Sequence, residues 1–201
     1  GCNTALIRNS IEFNKFNVID QNIKPVIGWV GSTAHRSRDL ETLHGIIGPF
    51  VENNNLKFHH GGYMSGKPLA AELLNIDVAR STQTPLCQIE LYPQHFNFFD
   101  ISIVPLNKIP FNEAKSFIKG LESAAASKPF IAQDTYEYKY LNEEYGIGRI
   151  AKRPNDWLKH FNALLDIDLR NEEAFLNREV AKKFDISNNW IHWKDAIFSI
   201  L

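Results

Sequence analysis

Along this chain, short apolar runs alternate with segments whose apolar residues return every three or four positions. Pro25-Val26-Ile27-Gly28-Trp29-Val30-Gly31 is a compact apolar run closed by glycine, the pattern of a buried strand. Leu40, Leu43, Ile46, Ile47 and Phe50 then recur at helical spacing and predict a helix from Asp39 to Glu52. Asp39 favours its start, by capping or by charge against the helix dipole. Leu56 to His60 reads as a second strand, stopped by Gly61-Gly62. Next come a short helix at Pro68 to Asn75, a third strand at Val78 to Gln83 and a helix from Tyr92 to Phe99. The strong run Ile101 to Pro105 is a strand, followed by a helix from Ala114 to Ser127 and a strand at Phe130 to Ala132. Thr135 to Glu144 reads as a helix and Gly146 to Ala151 as a strand. Two amphipathic helices carry Trp157, Phe161, Leu164 and Leu165, then Phe175, Val180 and Phe184. Trp190, Trp193, Ile197, Phe198 and Leu201 keep helical spacing to the end. Strand–helix alternation of this kind predicts an α/β fold, a Rossmann-like parallel sheet with helices on both faces.

Composition narrows the picture. The 201 residues fit a single domain; residues 1–24 read as a connector and residues 187–201 as a helical tail. A formal charge of −1 argues against nucleic acid, which would call for a basic stripe. Cys2 and Cys87 are the only cysteines, so neither a disulfide framework nor a thiolate zinc site is expected, and a reducing compartment is. No apolar run approaches the ~20 residues that span a bilayer. The first residues lack the basic start and long apolar core of a signal peptide, which points to a cytoplasmic location. The sequence reads as part of a longer chain, since it does not begin with methionine and Met64 is its only one.

The candidate chemistry gathers after the strand Asp100 to Leu106, in the segment Pro110 to Glu122. A helix that starts just past the carboxyl end of a strand points free N–H groups into the crevice where open α/β sheets bind ligands. On an ideal helix Lys115 and Glu122 lie about 20° apart and Lys119 about 40° from Lys115, with Ile118, Leu121 and Ala125 on a separate packing face. Lysines beside a helix start suit a diphosphate, and a carboxylate two turns on can accept both hydroxyls of a ribose. The same spacing also describes an ordinary Lys119–Glu122 surface ion pair, worth about 0.2–0.5 kcal/mol. After the first strand, Gly31 allows close backbone approach, and Arg36 or Arg38 can reach a pyrophosphate unless the loop is simply solvated. His59 and His60 are adjacent on a strand and point to opposite faces, so they do not chelate one ion together, and no metal is expected.

Asp100-Ile101-x-Ile103-x-Pro105-Leu106, then Asn112-x-x-Lys115-Ser116-x-Ile118-Lys119-x-Leu121-Glu122, then Ala-Ala and a strand ending at Asp134, resembles the nucleotide-sugar donor domain of GT-B retaining glycosyltransferases. The closer likeness is to the group 1 type that builds bacterial surface polysaccharides. Val26-Ile27-Gly28-Trp29-Val30-Gly31-Ser32 with His35 and Asp39-Leu40 resembles that family's first strand and glycine turn, and Asn9-Ser10-Ile11-Glu12 its interdomain segment. The resemblance implies that the chain is the C-terminal half of a two-domain enzyme, taking a UDP- or GDP-sugar without a metal or other cofactor. The acceptor would lie on an N-terminal domain outside this sequence, through which any association with the inner face of a membrane would also run. It implies that Glu122 binds ribose hydroxyls, that Lys115, Ser116 and Lys119 lie near the diphosphate with Gly31, Ser32 and Arg36, and that Asn112, Glu113 and Ala114 face the donor sugar. Many such enzymes place a glutamate eight positions before the ribose-binding one; here that position is Ala114, and Glu113 is one step out of register. Two rival readings remain: a sugar-nucleotide epimerase of similar architecture, and a nucleotide-binding module without turnover, which Ala114 favours.

Overall fold

A computed structural model describes residues 4–200, so Cys2 and Leu201 lie outside the described residues. Its centre is a six-stranded sheet, parallel throughout, in the order β3-β2-β1-β4-β5-β6. The strands are β1 Val26–Val30, β2 Lys57–Tyr63, β3 Ser81–Pro85, β4 Ile101–Val104, β5 Phe130–Gln133 and β6 Arg149–Ala151. Every residue of β4 and β5 is buried, as a parallel strand covered on both faces requires. The Rossmann-like expectation is met, with helices on both sides.

On one face pack α1 (Thr33–Glu41), α2 (Ile47–Asn53), α3 (Ala70–Leu73) and, after β6, α7 (Pro154–Ala163). Their core joins Leu40, Leu43, Phe50 and Phe161 to Ile27, Phe58, Ile101 and Ile131 of the sheet. On the other face lie α5 (Ile118–Ala125), α6 (Tyr136–Tyr145) and α8 (Ile167–Ala181), around Phe96, Phe99, Phe117, Leu121 and Phe130. A short α4 (Pro110–Glu113) precedes α5, and α9 (Ile186–Ile200) ends the chain. Gly28 lets this layering close: a Cβ there would overlap the Phe99 ring.

The structure redraws several expected boundaries. The helix expected at 39–52 is two helices, α1 beginning at Thr33 and α2 at Ile47, with the turn between them holding Gly45 at φ 75°. Asp39 is therefore well inside α1 and does not cap it. Strand β2 runs through Gly61-Gly62 to Tyr63: a Cβ at Gly61 would stand 2.8 Å from His95, and Gly62 takes φ 94° at a register shift against β3. Val78–Arg80 forms a 3-10 turn capped by Asp77, so the third strand starts at Ser81 and ends on Pro85, tolerated because β3 is the sheet edge. Ile89–Phe98 is 3-10 in geometry and carries Pro93. Gly146 closes α6 in the left-handed conformation at φ 70°, so the last strand begins only at Arg149.

The leading segment packs on the domain. Ile11, Phe13 and Phe16 are buried, and Ile11 exchanges backbone hydrogen bonds of 2.9 Å with Phe184 and Ile186. At the amino edge of the sheet, buried charged groups meet local partners. Asp100 accepts from Val26 N at 2.7 Å, and Arg170, fully buried, donates to the Leu164 and Leu165 carbonyls at 2.7 and 2.9 Å. Helix α9 leaves Trp190, Trp193 and Phe198 substantially exposed. Among the described residues, no helix is long and apolar enough to cross a membrane.

Candidate functional site

The strand order reverses between β1 and β4, and the carboxyl ends of these two strands open the crevice in which sheets of this kind bind ligands. A cavity of 280 Å³ lies there, walled by Trp29 and Gly31 at the end of β1, Val104 to Leu106 at the end of β4, and Phe111, Lys115, Ser116, Ile118 and Lys119 beyond it. Arg36, Lys115 and Lys119 bring three cationic side chains to it, and Asp39 is the one carboxylate in the wall. Gly31 takes part through its backbone: a Cβ there would stand 2.5 Å from the Trp29 indole, and its carbonyl accepts from His60 Nε2 at 2.8 Å.

Asp39 organises the wall. Its Oδ1 accepts from Asn107 N at 3.1 Å and from Asn112 Nδ2 at 2.7 Å, while Oδ2 accepts from Lys115 Nζ at 3.3 Å. One side chain of α1 thus ties down the loop after β4 and the turn before α5. Lys115 sits 5.3 Å from the centre of the Phe111 ring and Arg36 5.2 Å, so both cations share one aromatic ring. Burial lowers the Lys115 pKa, nearby Arg36 and Lys119 lower it further, and Asp39 opposes them. Crowded cations of this kind are relieved by an incoming anion.

The expected helix from Ala114 onward does not form as one piece. Helix α4 ends at Glu113, and α5 begins at Ile118 behind Phe117. Lys115 therefore reaches the cavity from a turn, and the shared helical face of Lys115, Lys119 and Glu122 is absent. Lys115, Ser116 and Lys119 still converge on the cavity, with Gly31 and Arg36 opposite. Ser116 Oγ accepts from Asn9 Nδ2 at 2.8 Å, which links the leading segment to the wall.

Glu122 is set apart. It is largely buried outside the cavity wall, accepts from the Tyr92 hydroxyl at 2.7 Å and lies 4.0 Å from Lys119 Nζ, which itself donates to Tyr92 at 3.1 Å. Burial raises the Glu122 pKa against the pull of Lys119 and Tyr92. Ser32 meets Met64 Sδ at 3.4 Å and does not line the cavity. Asn112 is buried with its amide on Asp39 and Asn107, and Glu113 is exposed; neither lines the cavity. The reading of residues missed Asp39 as a hub, since a polar residue on a helix carries no sign of what it meets across the fold. It missed Trp29, Phe111 and Tyr138 as wall residues because apolar spacing marks them only as packing.

His59 and His60 lie within β2 and do face opposite ways. His59 contacts the Thr82 and Thr84 hydroxyls at 2.9 and 3.2 Å, and Thr84 in turn meets His95 Nδ1 at 2.7 Å. Among the described residues no three His, Cys, Asp or Glu side chains group to hold a metal ion. Burial lowers the pKa of all three imidazoles, that of His59 to about 4. A folded-state pKa below the unfolded 6.5 means that the unfolded chain binds more protons between these values, so stability is lost as pH falls from about 6.5 to about 4. Glu122, whose pKa burial raises, acts the other way: it adds stability as pH falls through its folded-state pKa. We expect urea midpoints to fall across the His59 window, the slope to flatten in His59→Gln and to steepen in Glu122→Gln; parallel curves would contradict this.

With the geometry in place, comparison with solved structures gives the fold its setting. The chain superposes on a sucrose-phosphate synthase from Thermosynechococcus elongatus with a TM-score of 0.72 and 15% identity, covering 98% of this chain and 52% of that one. Anabaena HepE, solved in complex with UDP and glucose, gives 0.65 at 12% identity over 98% of this chain and 57% of that one. The C-terminal domain of a group 1 family glycosyl transferase from Francisella tularensis gives 0.59 at 14% identity and is itself covered over 97% of its length. The fold is thus that of the C-terminal half of GT-B glycosyltransferases, and the chain spans about half the length of the two larger proteins. No protein-family model and no curated protein sequence matches the chain.

Proposed function

We propose that this chain is the donor-binding half of a retaining glycosyltransferase that takes a sugar from UDP or GDP. The observation that carries this reading is the cavity at the β1/β4 switch, where Arg36, Lys115 and Lys119 meet around the Gly31 backbone. A nucleoside diphosphate brings two to three negative charges, and no other carboxylate of the wall competes with Asp39 for the three cations. Arg36, Lys115 and Lys119 hold the diphosphate, and their charge stabilises it as the leaving group when the glycosidic bond breaks. The Ser116 hydroxyl adds a short donor beside them. Glu122 takes the ribose hydroxyls in exchange for Tyr92, whose ring then flanks the base. Asn112 acts indirectly by fixing the turn that carries Lys115, while Glu113 and Ser32 stand back from the sugar. The acceptor comes from a second domain, in a cytoplasmic enzyme of polysaccharide synthesis.

A rise in melting temperature tests this reading. At a nucleotide concentration about 100 times the dissociation constant, binding stabilises the folded form by about 2.7 kcal/mol, or roughly 5–10 °C for a chain of this size. UDP, GDP and their sugars are the ligands to screen, and a flat response to all of them would overturn the reading. One observation favours a second possibility, a module that binds without turnover. The single carboxylate in the cavity is already engaged by Lys115, Asn107 and Asn112, which leaves none in the wall uncommitted for the donor sugar. Nucleotide affinity without sugar transfer, in a protein that carries both halves, would select it.

A further inference from the structure

A second cavity opens beside the first. It has a volume of 200 Å³, shares Leu106 with its neighbour, and lies past the carboxyl ends of β5 and β6. Three cationic side chains from two loops surround it: Lys108 after β4, and Lys152 and Arg153 after β6. None of the three is within salt-bridge distance of a carboxylate among the described residues. The neighbouring carboxylate in sequence, Asp156, spends its Oδ2 on the Lys152 and Arg153 backbone N–H groups, at 3.0 and 2.9 Å, and so caps α7 without pairing those side chains.

The floor is polar as well. Gln133, the last residue of β5, is more than nine-tenths buried yet lines the cavity. Its Nε2 donates to Ala151 O at 3.1 Å, which leaves the second N–H of the amide without a partner among the described residues. An oxyanion in this cavity would accept from it and neutralise the three cations together.

We propose that this cavity is a second anion site, built for a phosphate group. Its place follows from the shared wall: the two cavities adjoin at Leu106, past the carboxyl ends of the strands. The phosphate is that of the substrate receiving the sugar, such as a phosphorylated glycan or a lipid-linked phosphate. That role rests on the transferase reading, whereas the existence of the site does not.

Backbone amide NMR of the 201-residue chain tests it, with inorganic phosphate titrated after UDP has been added to saturate the first cavity. Phosphate is expected to shift the amides of Gln133, Lys152 and Arg153 with a dissociation constant on the order of 1 mM. In Lys152→Gln/Arg153→Gln the same titration should need about tenfold more phosphate, since charge-assisted contacts are lost. Both side chains are exposed, so the fold is expected to survive, and the unchanged spectrum elsewhere checks this. Lys108→Gln, on the other loop, should weaken binding in the same direction. Absent shifts, equal shifts in the variants, or shifts reproduced by sodium chloride at matched ionic strength would each overturn the site. If UDP itself fails to bind, the donor reading falls, and the phosphate shifts at Gln133 still decide this one.

Discussion

Alanine in place of Lys115 is expected to weaken UDP or GDP binding by about 10- to 100-fold, the loss that follows when a charge-assisted contact to phosphate is removed. Lys115 stands in an environment set against its own charge. It is partly buried, shares the Phe111 ring with Arg36, and its pKa is lowered by burial and by both neighbouring cations. An anion in the cavity therefore gains more from Lys115 than from a solvated lysine, because binding also relieves the repulsion from Arg36 and Lys119. Lys119, more exposed and already donating to Tyr92, should cost less when replaced. Glu113→Ala serves as the control: the residue is exposed and outside the wall, so affinity should stay within twofold or so, the scale of ordinary surface changes. Calorimetry that returned one dissociation constant for the native chain, Lys115→Ala and Glu113→Ala would remove the diphosphate from this cavity.

The architecture was legible because parallel strands buried on both faces must be short apolar runs, and those at Val26, Ile101 and Phe130 stand out from polar surroundings. What the pattern hid has local causes. The start of α1 at Thr33 is polar, so it carries no periodic signal; the helix becomes visible only where Leu40 and Leu43 begin to pack. Gly61-Gly62 looked like a stop because glycine usually ends strands, yet here the missing side chains make room for His95 and for the Gly31 backbone. At the candidate site, residue types marked the cavity wall better than helical geometry did. Lys115, Ser116 and Lys119 meet in one cavity although the ideal-helix argument that joined them fails, because a turn at 114–117 replaces the first turn of the helix. Glu122 shows the opposite case: its helix is real, but its partner Tyr92 comes from 30 residues earlier, a contact invisible to any local pattern.

The other large effect is expected at Asp39. Its side chain is only 8% exposed, and its two oxygens hold the Asn107 amide, the Asn112 carboxamide and the Lys115 ammonium. Asp39→Ala strips an acceptor from one buried and one half-buried donor and a counter-charge from a partly buried cation, a combination that should cost about 3 kcal/mol. At 2–4 °C per kcal/mol for a chain of this size, the melting temperature should fall by about 6–12 °C. Asp39→Asn separates the two roles. Its amide oxygen can still accept from Asn107 or Asn112, which retains part of the stability, but it no longer balances Lys115. Nucleotide binding in Asp39→Asn then measures what Asp39 contributes to the site. If its main effect is to position Lys115, affinity falls in the variant as the turn at 114–117 loosens. If it chiefly offsets the cations that a diphosphate seeks, affinity rises, because the ligand no longer displaces an internal anion. An Asp39→Ala chain that melts with the native one would show that α1 and the loop after β4 are held together by something else.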